Sequence, residues 1–198
     1  MNLYDAMKEC LTTKYSQVEN AGDYAIKRDG DVLRLFFEWS DGAEDWKNNF
    51  NFPAKPYRRM KYLWLAHRGF LKVWKSIEPY IEADINDPKF RRIEIVGYSH
   101  GAAVALLCYE YVVFNRPEVE VEGIGFGCPR VFWGFVPKSV KERFKNFKVV
   151  RNGNDIVTHV PPAFLGFRHI TEVVQIGDCE SKGVISDHME KNYLNNLK

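Results

Sequence analysis

The chain has 198 residues, 45% of them hydrophobic and 27% charged, the composition of a globule whose core needs no metal or disulfide staple. Its net charge is only +2, with lysine and arginine spread along the whole length. That excludes nucleic acid as the main partner, because phosphate binding needs a concentrated basic stripe.

Residues 3–13 have the spacing of a short amphipathic helix. Strand-like runs at 23–28 and 32–39 follow, joined by Arg28-Asp29-Gly30-Asp31, a strong hairpin signal. Residues 40–62 are polar, aromatic and proline-containing, and read as irregular with at most a turn or two of helix. Phe70, Leu71, Val73, Trp74, Ile77, Tyr80 and Ile81 fall at helical spacing, which predicts an amphipathic helix over 68–83. Strand 92–97, helix 100–114, strand 121–127, helix 137–145, strand 147–151, a strand near 170–177 and a C-terminal helix near 187–197 complete the chain. This alternation implies right-handed crossovers and a mostly parallel central sheet flanked by helices, with the N-terminal hairpin adding to it in the antiparallel sense. No repeat or linker divides the chain, so residues 1–198 read as one domain.

Cys10, Cys108, Cys128 and Cys179 have no C-x-x-C spacing and read as four reduced thiols. No apolar run is long enough to span a bilayer, and Met1–Ala6 lacks the basic-then-apolar pattern of a secretory leader. The expectation is a cytoplasmic protein, with release by a non-standard route as the alternative.

Gly97-Tyr98-Ser99-His100-Gly101 lies between the apolar run Ile93–Val96 and a helix-like stretch. A G-x-S-x-G string in strand–turn–helix context is the nucleophile-elbow pattern, in which a tight turn projects the serine hydroxyl into the open. A serine hydroxyl is a weak nucleophile near neutral pH, so it needs a base, and the base needs an acid to orient it. For an elbow of this kind the chain order is serine, then aspartate or glutamate, then histidine.

In an open parallel sheet, sites form at the carboxyl ends of the strands. Asp155 stands in the loop that leaves strand 147–151 at that edge, although a turn aspartate capping its own loop would read the same. Among five histidines, His188 lies after the last strand at the same edge and is the expected base, with His169 its main rival. His100 adjoins the serine and points away from it, and His159 lies only four residues past Asp155. The oxyanion needs two donors. The N–H of His100, next after the nucleophile, is one. The N–H of Ser40, at the end of strand 32–39, is the other, although Ser40 also suits the cap of a helical turn at 41–48.

These features resemble the class 3, fungal-type lipase family. The matches are His67-Arg68-Gly69-Phe70 (H-x-G-F), the elbow at 97–101, Gly127-Cys128-Pro129-Arg130-Val131 (G-x-P-R-V), Asp155–Pro162 (D-x-V-P-x-L-P-P), and Asp187-His188 before a helix. The resemblance implies an α/β-hydrolase fold and an esterase or lipase activity that uses no metal or cofactor. It implies Ser99, Asp155 and His188 as the triad and Ser40 at the oxyanion position. Glu38-Trp39 stands where Arg-Gly is usual, His100 replaces a frequent leucine, and Phe132-Trp133 replaces Gly-Asn.

The resemblance also makes 41–50 a candidate lid. Its apolar face is narrow, Trp46 and Phe50, which favours a soluble or short-chain ester over an emulsified triglyceride. Lys55–Lys61 is basic and aromatic, either a solvated loop or a patch for transient contact with anionic lipid. A phospholipase A1 or acyltransferase on the same triad is the second function considered. A non-catalytic hydrolase-like binding protein is the third.

Overall fold

The computed structural model describes residues 1–18, 22–38, 54–57, 64–179 and 185–198. Helix α1 (Leu3–Thr12) starts where the Asn2 side chain accepts the N–H groups of Tyr4 and Asp5, and it buries Ala6, Met7 and Cys10. Strands β1 (Ser16–Val18), β2 (Gly22–Asp29) and β3 (Val32–Glu38) run antiparallel. The β2–β3 hairpin closes through Gly30, whose φ of +57° suits a residue without Cβ.

Beyond β3, four further strands join in parallel: β6 (Arg92–Tyr98), β7 (Glu120–Phe126), β9 (Phe147–Asn152) and β11 (Glu172–Ile176). The described sheet has the order β1-β2-β3-β6-β7-β9-β11. Successive strand residues face opposite sides, so each strand feeds two cores. Leu33, Leu35 and Phe37 of β3 and Ile93 and Ile95 of β6 pack against α2 (Arg68–Asn86) and α3 (His100–Asn115). Phe36, Val96 and Tyr98 face the other way, toward Met7 and Cys10 of α1 and Tyr193 of α6 (Glu190–Asn196). Every residue from Gly101 to Val112 is buried, so α3 is apolar all round, as a core helix must be.

A second, smaller sheet was not expected. Strands β4 (Ala54–Tyr57), β5 (Trp64–His67), β8 (Phe132–Trp133) and β10 (Phe167–Arg168) pair antiparallel in the order β10-β8-β5-β4. The reading of 40–62 as irregular fails at β4. Strands of two to four residues are too short to show an alternating pattern, and Pro56 argues against a strand except at an edge, which is where β4 lies. Most of 40–62, including the candidate lid at 41–50, lies outside the described residues.

Other boundaries differ by local geometry. The helix expected over 137–145 is α4 (Lys138–Lys141) followed by a 3-10 turn at Glu142–Phe144. The helix expected over 187–197 is broken: α5 (Ile185–His188) ends, Met189 takes an extended conformation, and α6 begins. His188 therefore closes a short helix rather than opening a long one.

Candidate active site

Ser99 joins β6 to α3 with φ +57° and ψ −124°, and among the described residues it is the one non-glycine with positive φ. The flanking glycines have steric causes. A Cβ on Gly97 would lie 2.4 Å from the Gly101 carbonyl oxygen, and one on Gly101 would lie 2.1 Å from the Phe37 carbonyl oxygen. Both positions therefore require glycine. The Ser99 N–H donates to the Phe126 carbonyl at 2.8 Å, tying the turn to the end of β7.

The chain leaves β9 through Gly153 and Asn154 to Asp155, which is completely buried. Its Oδ1 accepts the Val157 N–H at 2.9 Å and caps the 3-10 turn Ile156–His159. Its Oδ2 lies 2.8 Å from His188 Nδ1. The cap and the histidine contact thus coexist, one on each oxygen. The Tyr193 hydroxyl also donates to Oδ2, at 2.5 Å. The other imidazole nitrogen, Nε2, lies 2.8 Å from Ser99 Oγ. With Nδ1 facing a carboxylate, the proton sits on Nδ1, and Nε2 is left to accept the serine proton.

Several contacts hold His188 in this place. The Asn152 amide donates to the Asp187 carbonyl at 2.8 Å, and the Asn154 N–H donates to Asp187 Oδ2 at 2.9 Å. The Tyr98 ring stacks on the imidazole, and its hydroxyl donates to the His188 carbonyl. Gly127 (φ +60°) leaves the space the imidazole fills, since a Cβ there would lie 2.7 Å from His188 Cε1.

The other four histidines sit elsewhere. His169 Nε2 meets the Thr158 carbonyl at 2.7 Å, and burial pushes its pKa down to about 4. His67 caps α2, its Nδ1 accepting the Phe70 N–H at 3.4 Å, and burial holds its pKa at about 4. The His100 ring lies edge-on to Phe70, with burial first and the nearby His67 second bringing its pKa to about 3. His159 lies in the 3-10 turn, with its pKa lowered by burial and then by Arg151 and Arg130. The His100 N–H belongs to the first turn of α3, at the positive end of the helix dipole. Ser40 lies outside the described residues.

The remaining motif residues build the same edge. The Arg130 N–H donates to the Val160 carbonyl at 2.8 Å, and its guanidinium reaches the His159 and Pro161 carbonyls, joining the loops after β7 and β9. The His67 N–H donates to the Val131 carbonyl at 2.9 Å. Sequence reasoning missed Tyr98 and Tyr193. Tyr98 lies inside the elbow string, but no spacing rule marks it. Tyr193 reaches Asp155 only because α6 folds back under the sheet.

A serine on a strained strand-to-helix turn, linked through histidine to a buried aspartate at the carboxyl edge of a mostly parallel sheet, defines an α/β-hydrolase fold. The profile of the class 3 lipase family matches residues 35–165, and the chain belongs to that family. It is 28% identical over 135 residues to secreted mono- and diacylglycerol lipase 1 of Fusarium solani, covering 66% of this chain and 39% of that protein. It is 32% identical over 90 residues to secreted mono- and diacylglycerol lipase LIP1 of Malassezia globosa, covering 43% of this chain and 29% of that protein. The fold is similar to that of the Rhizomucor miehei lipase–propeptide complex, with a TM-score of 0.78 at 20% identity, over 94% of this chain and 70% of that one. The chain spans less than half the length of the two secreted relatives.

Those relatives overturn the expectation of a cytoplasmic protein, since both are named as secreted. The thiols offered no compartment signal. Cys10, Cys108 and Cys128 are free and buried, where a thiol behaves as a small apolar side chain in any compartment.

Proposed function

We propose that this protein is a serine carboxylic-ester hydrolase acting outside the cell, with Ser99, His188 and Asp155 as its triad and residues 1–198 working as one unit. The observation that carries the reading is the unbroken line from Ser99 Oγ through both imidazole nitrogens to Asp155 Oδ2, with 2.8 Å at each junction. Ser99 Oγ attacks the ester carbonyl while His188 Nε2 takes its proton, and Asp155 stabilises the imidazolium. The carbonyl oxygen gains negative charge, which the His100 N–H and, by family position, the Ser40 N–H receive. His188 then protonates the leaving alcohol. A water molecule gives its proton to His188, attacks the acyl-enzyme and releases the acid, returning the proton to Ser99.

Support for a substrate class comes from the exposed apolar side chains on the segments that leave the sheet's carboxyl edge. Among the described residues, seven of nine exposed large apolar side chains lie on segments that leave the carboxyl ends of β7, β9 and β11. Phe135 and Phe164 are 85% and 86% exposed. The Gly134 N–H donates to the Gly166 carbonyl, and the Trp133 indole to that of Leu165, so the segment after β8 that carries Phe135 is tied to the 3-10 turn before β10 that carries Phe164. An exposed apolar surface gathered on one edge marks a binding surface. It supports a lipid ester presented at an interface, reached by transient contact, over the short soluble ester that the sequence of 41–50 favoured. The relatives named as mono- and diacylglycerol lipases support the same class.

Hydrolysis of p-nitrophenyl esters from acetate to palmitate, by wild type and Ser99→Ala side by side, tests the reading. Activity lost by at least about 10⁴-fold in folded Ser99→Ala supports it. Undiminished turnover there overturns it.

A further inference from the structure

Tyr98 occupies the position between Gly97 and Ser99, and alternation along β6 turns it to the face that packs on α1 and α6. Its ring therefore sits beneath the site while its backbone continues into the nucleophile. It meets His188 twice. The two rings lie nearly parallel, at 15°, with centroids 5.1 Å apart, and the phenol donates to the backbone carbonyl of His188 itself. A third contact runs to Tyr193, edge-on at 6.0 Å, and Tyr193 in turn holds Asp155.

We propose that Tyr98 is a positioning residue that fixes the plane and the backbone anchor of His188. The proposal rests on reading Ser99, His188 and Asp155 as the triad.

The need for such a residue is geometric. His188 ends a four-residue helix, after which the chain turns extended at Met189. So short a helix fixes its last residue weakly, because its terminal carbonyls have no partner within the helix. The Tyr98 hydroxyl supplies a partner to one of them. Rotation of the imidazole about its Cβ–Cγ bond would break both 2.8 Å contacts together, because the two nitrogens move in opposite senses. A parallel ring on one face opposes that rotation, since any tilt drives an edge of the imidazole into the phenol face. Burial, and then the carboxylates of Glu190, Asp155 and Glu38, raise the Tyr98 pKa. The hydroxyl thus stays protonated, and a donor, through neutral and mildly alkaline pH.

Two variants separate the two contacts. Tyr98→Phe keeps the ring and removes the hydroxyl, and Tyr98→Leu removes both. Active sites are counted with a fluorophosphonate, so that kcat refers only to folded protein, and a soluble ester serves as substrate. Tyr98→Leu is expected to lower kcat by about 100-fold with KM nearly unchanged, the size of loss that follows a small misplacement of a reacting group. The acid limb of its kcat/KM profile moves to lower pH, because the imidazolium is held less firmly against Asp155. Tyr98→Phe restores most of the rate and remains about three- to tenfold below wild type, the loss of one hydrogen bond.

Wild-type kcat per titrated site in either variant overturns the proposal, whatever the change in Tm, and so does a loss confined to KM. If Tyr98→Leu does not fold, Tyr98→Phe alone decides by the same criteria. Turnover retained in Ser99→Ala removes the triad reading and this proposal together. Turnover lost in Ser99→Ala but unchanged in the Tyr98 variants removes this proposal alone.

Discussion

Tyr193 donates its phenolic hydrogen to Oδ2 of Asp155 at 2.5 Å, the same oxygen that faces Nδ1 of His188. Asp155 therefore has both oxygens occupied, Oδ1 by the Val157 N–H and Oδ2 by two partners, although the residue is fully buried. A buried carboxylate stays ionised only where such donors replace water. Removing one donor, in Tyr193→Phe, should lower kcat/KM on a soluble ester by about three- to tenfold while the protein stays folded. Wild-type kcat/KM in that variant would show that Tyr193 only fills space.

Gly127 is the second point of sensitivity. A Cβ there would lie 2.7 Å from His188 Cε1, 2.9 Å from His188 Nδ1 and 3.0 Å from Asp155 Oδ2, at a φ of +60°. Gly127→Ala should destabilise the fold by about 1–2 kcal/mol through its backbone conformation. Displacement of the imidazole should lower kcat by about 100-fold. Thermal melts and ester kinetics on one preparation check both. An unchanged kcat would mean that His188 has room to retreat without losing Ser99.

Acid should destabilise the protein well above the pH at which carboxylates titrate. His67 and His169 have native pKa values of about 4, against about 6.5 in an unfolded chain. Because the native values are depressed, the unfolded chain binds more protons between those limits. The stability these groups contribute is complete above pH 6.5 and is lost as pH falls toward 4. Each buried neutral histidine adds a slope of about 1.4 kcal/mol per pH unit within that window. Urea titrations through the window measure it, and a flat stability there contradicts the burial of both imidazoles.

The exposed rings at the rim should act on surface-bound substrate alone. Phe135→Ser with Phe164→Ser removes apolar area that is in water in the free protein, at 85% and 86% exposure. Each ring buried in lipid is worth about 1.5–3 kcal/mol, so hydrolysis of an emulsified ester should fall by at least about tenfold. Hydrolysis of a dissolved ester should not change. An equal loss on both substrates would place the rings in the acyl pocket instead.

Features that depend on near neighbours were legible in the residues alone. Gly97, Ser99 and Gly101 could be recognised because the turn's steric demand falls within five residues. The Asp-Gly hairpin and the alternation of strands and helices from residue 68 onward were legible for the same reason, since each is a local backbone preference with its own period. Chain order pointed to Asp155 and His188, but it left His169 as a rival. What distinguishes them is a long-range contact: Nε2 of His188 lies against Ser99, 89 residues away in the chain, whereas Nε2 of His169 meets the Thr158 carbonyl. The second sheet, the space at Gly127 and the two tyrosines packed on His188 and Asp155 belong to the same category. They arise where segments far apart in sequence meet at one edge of the sheet, and no local spacing records which residues will meet there.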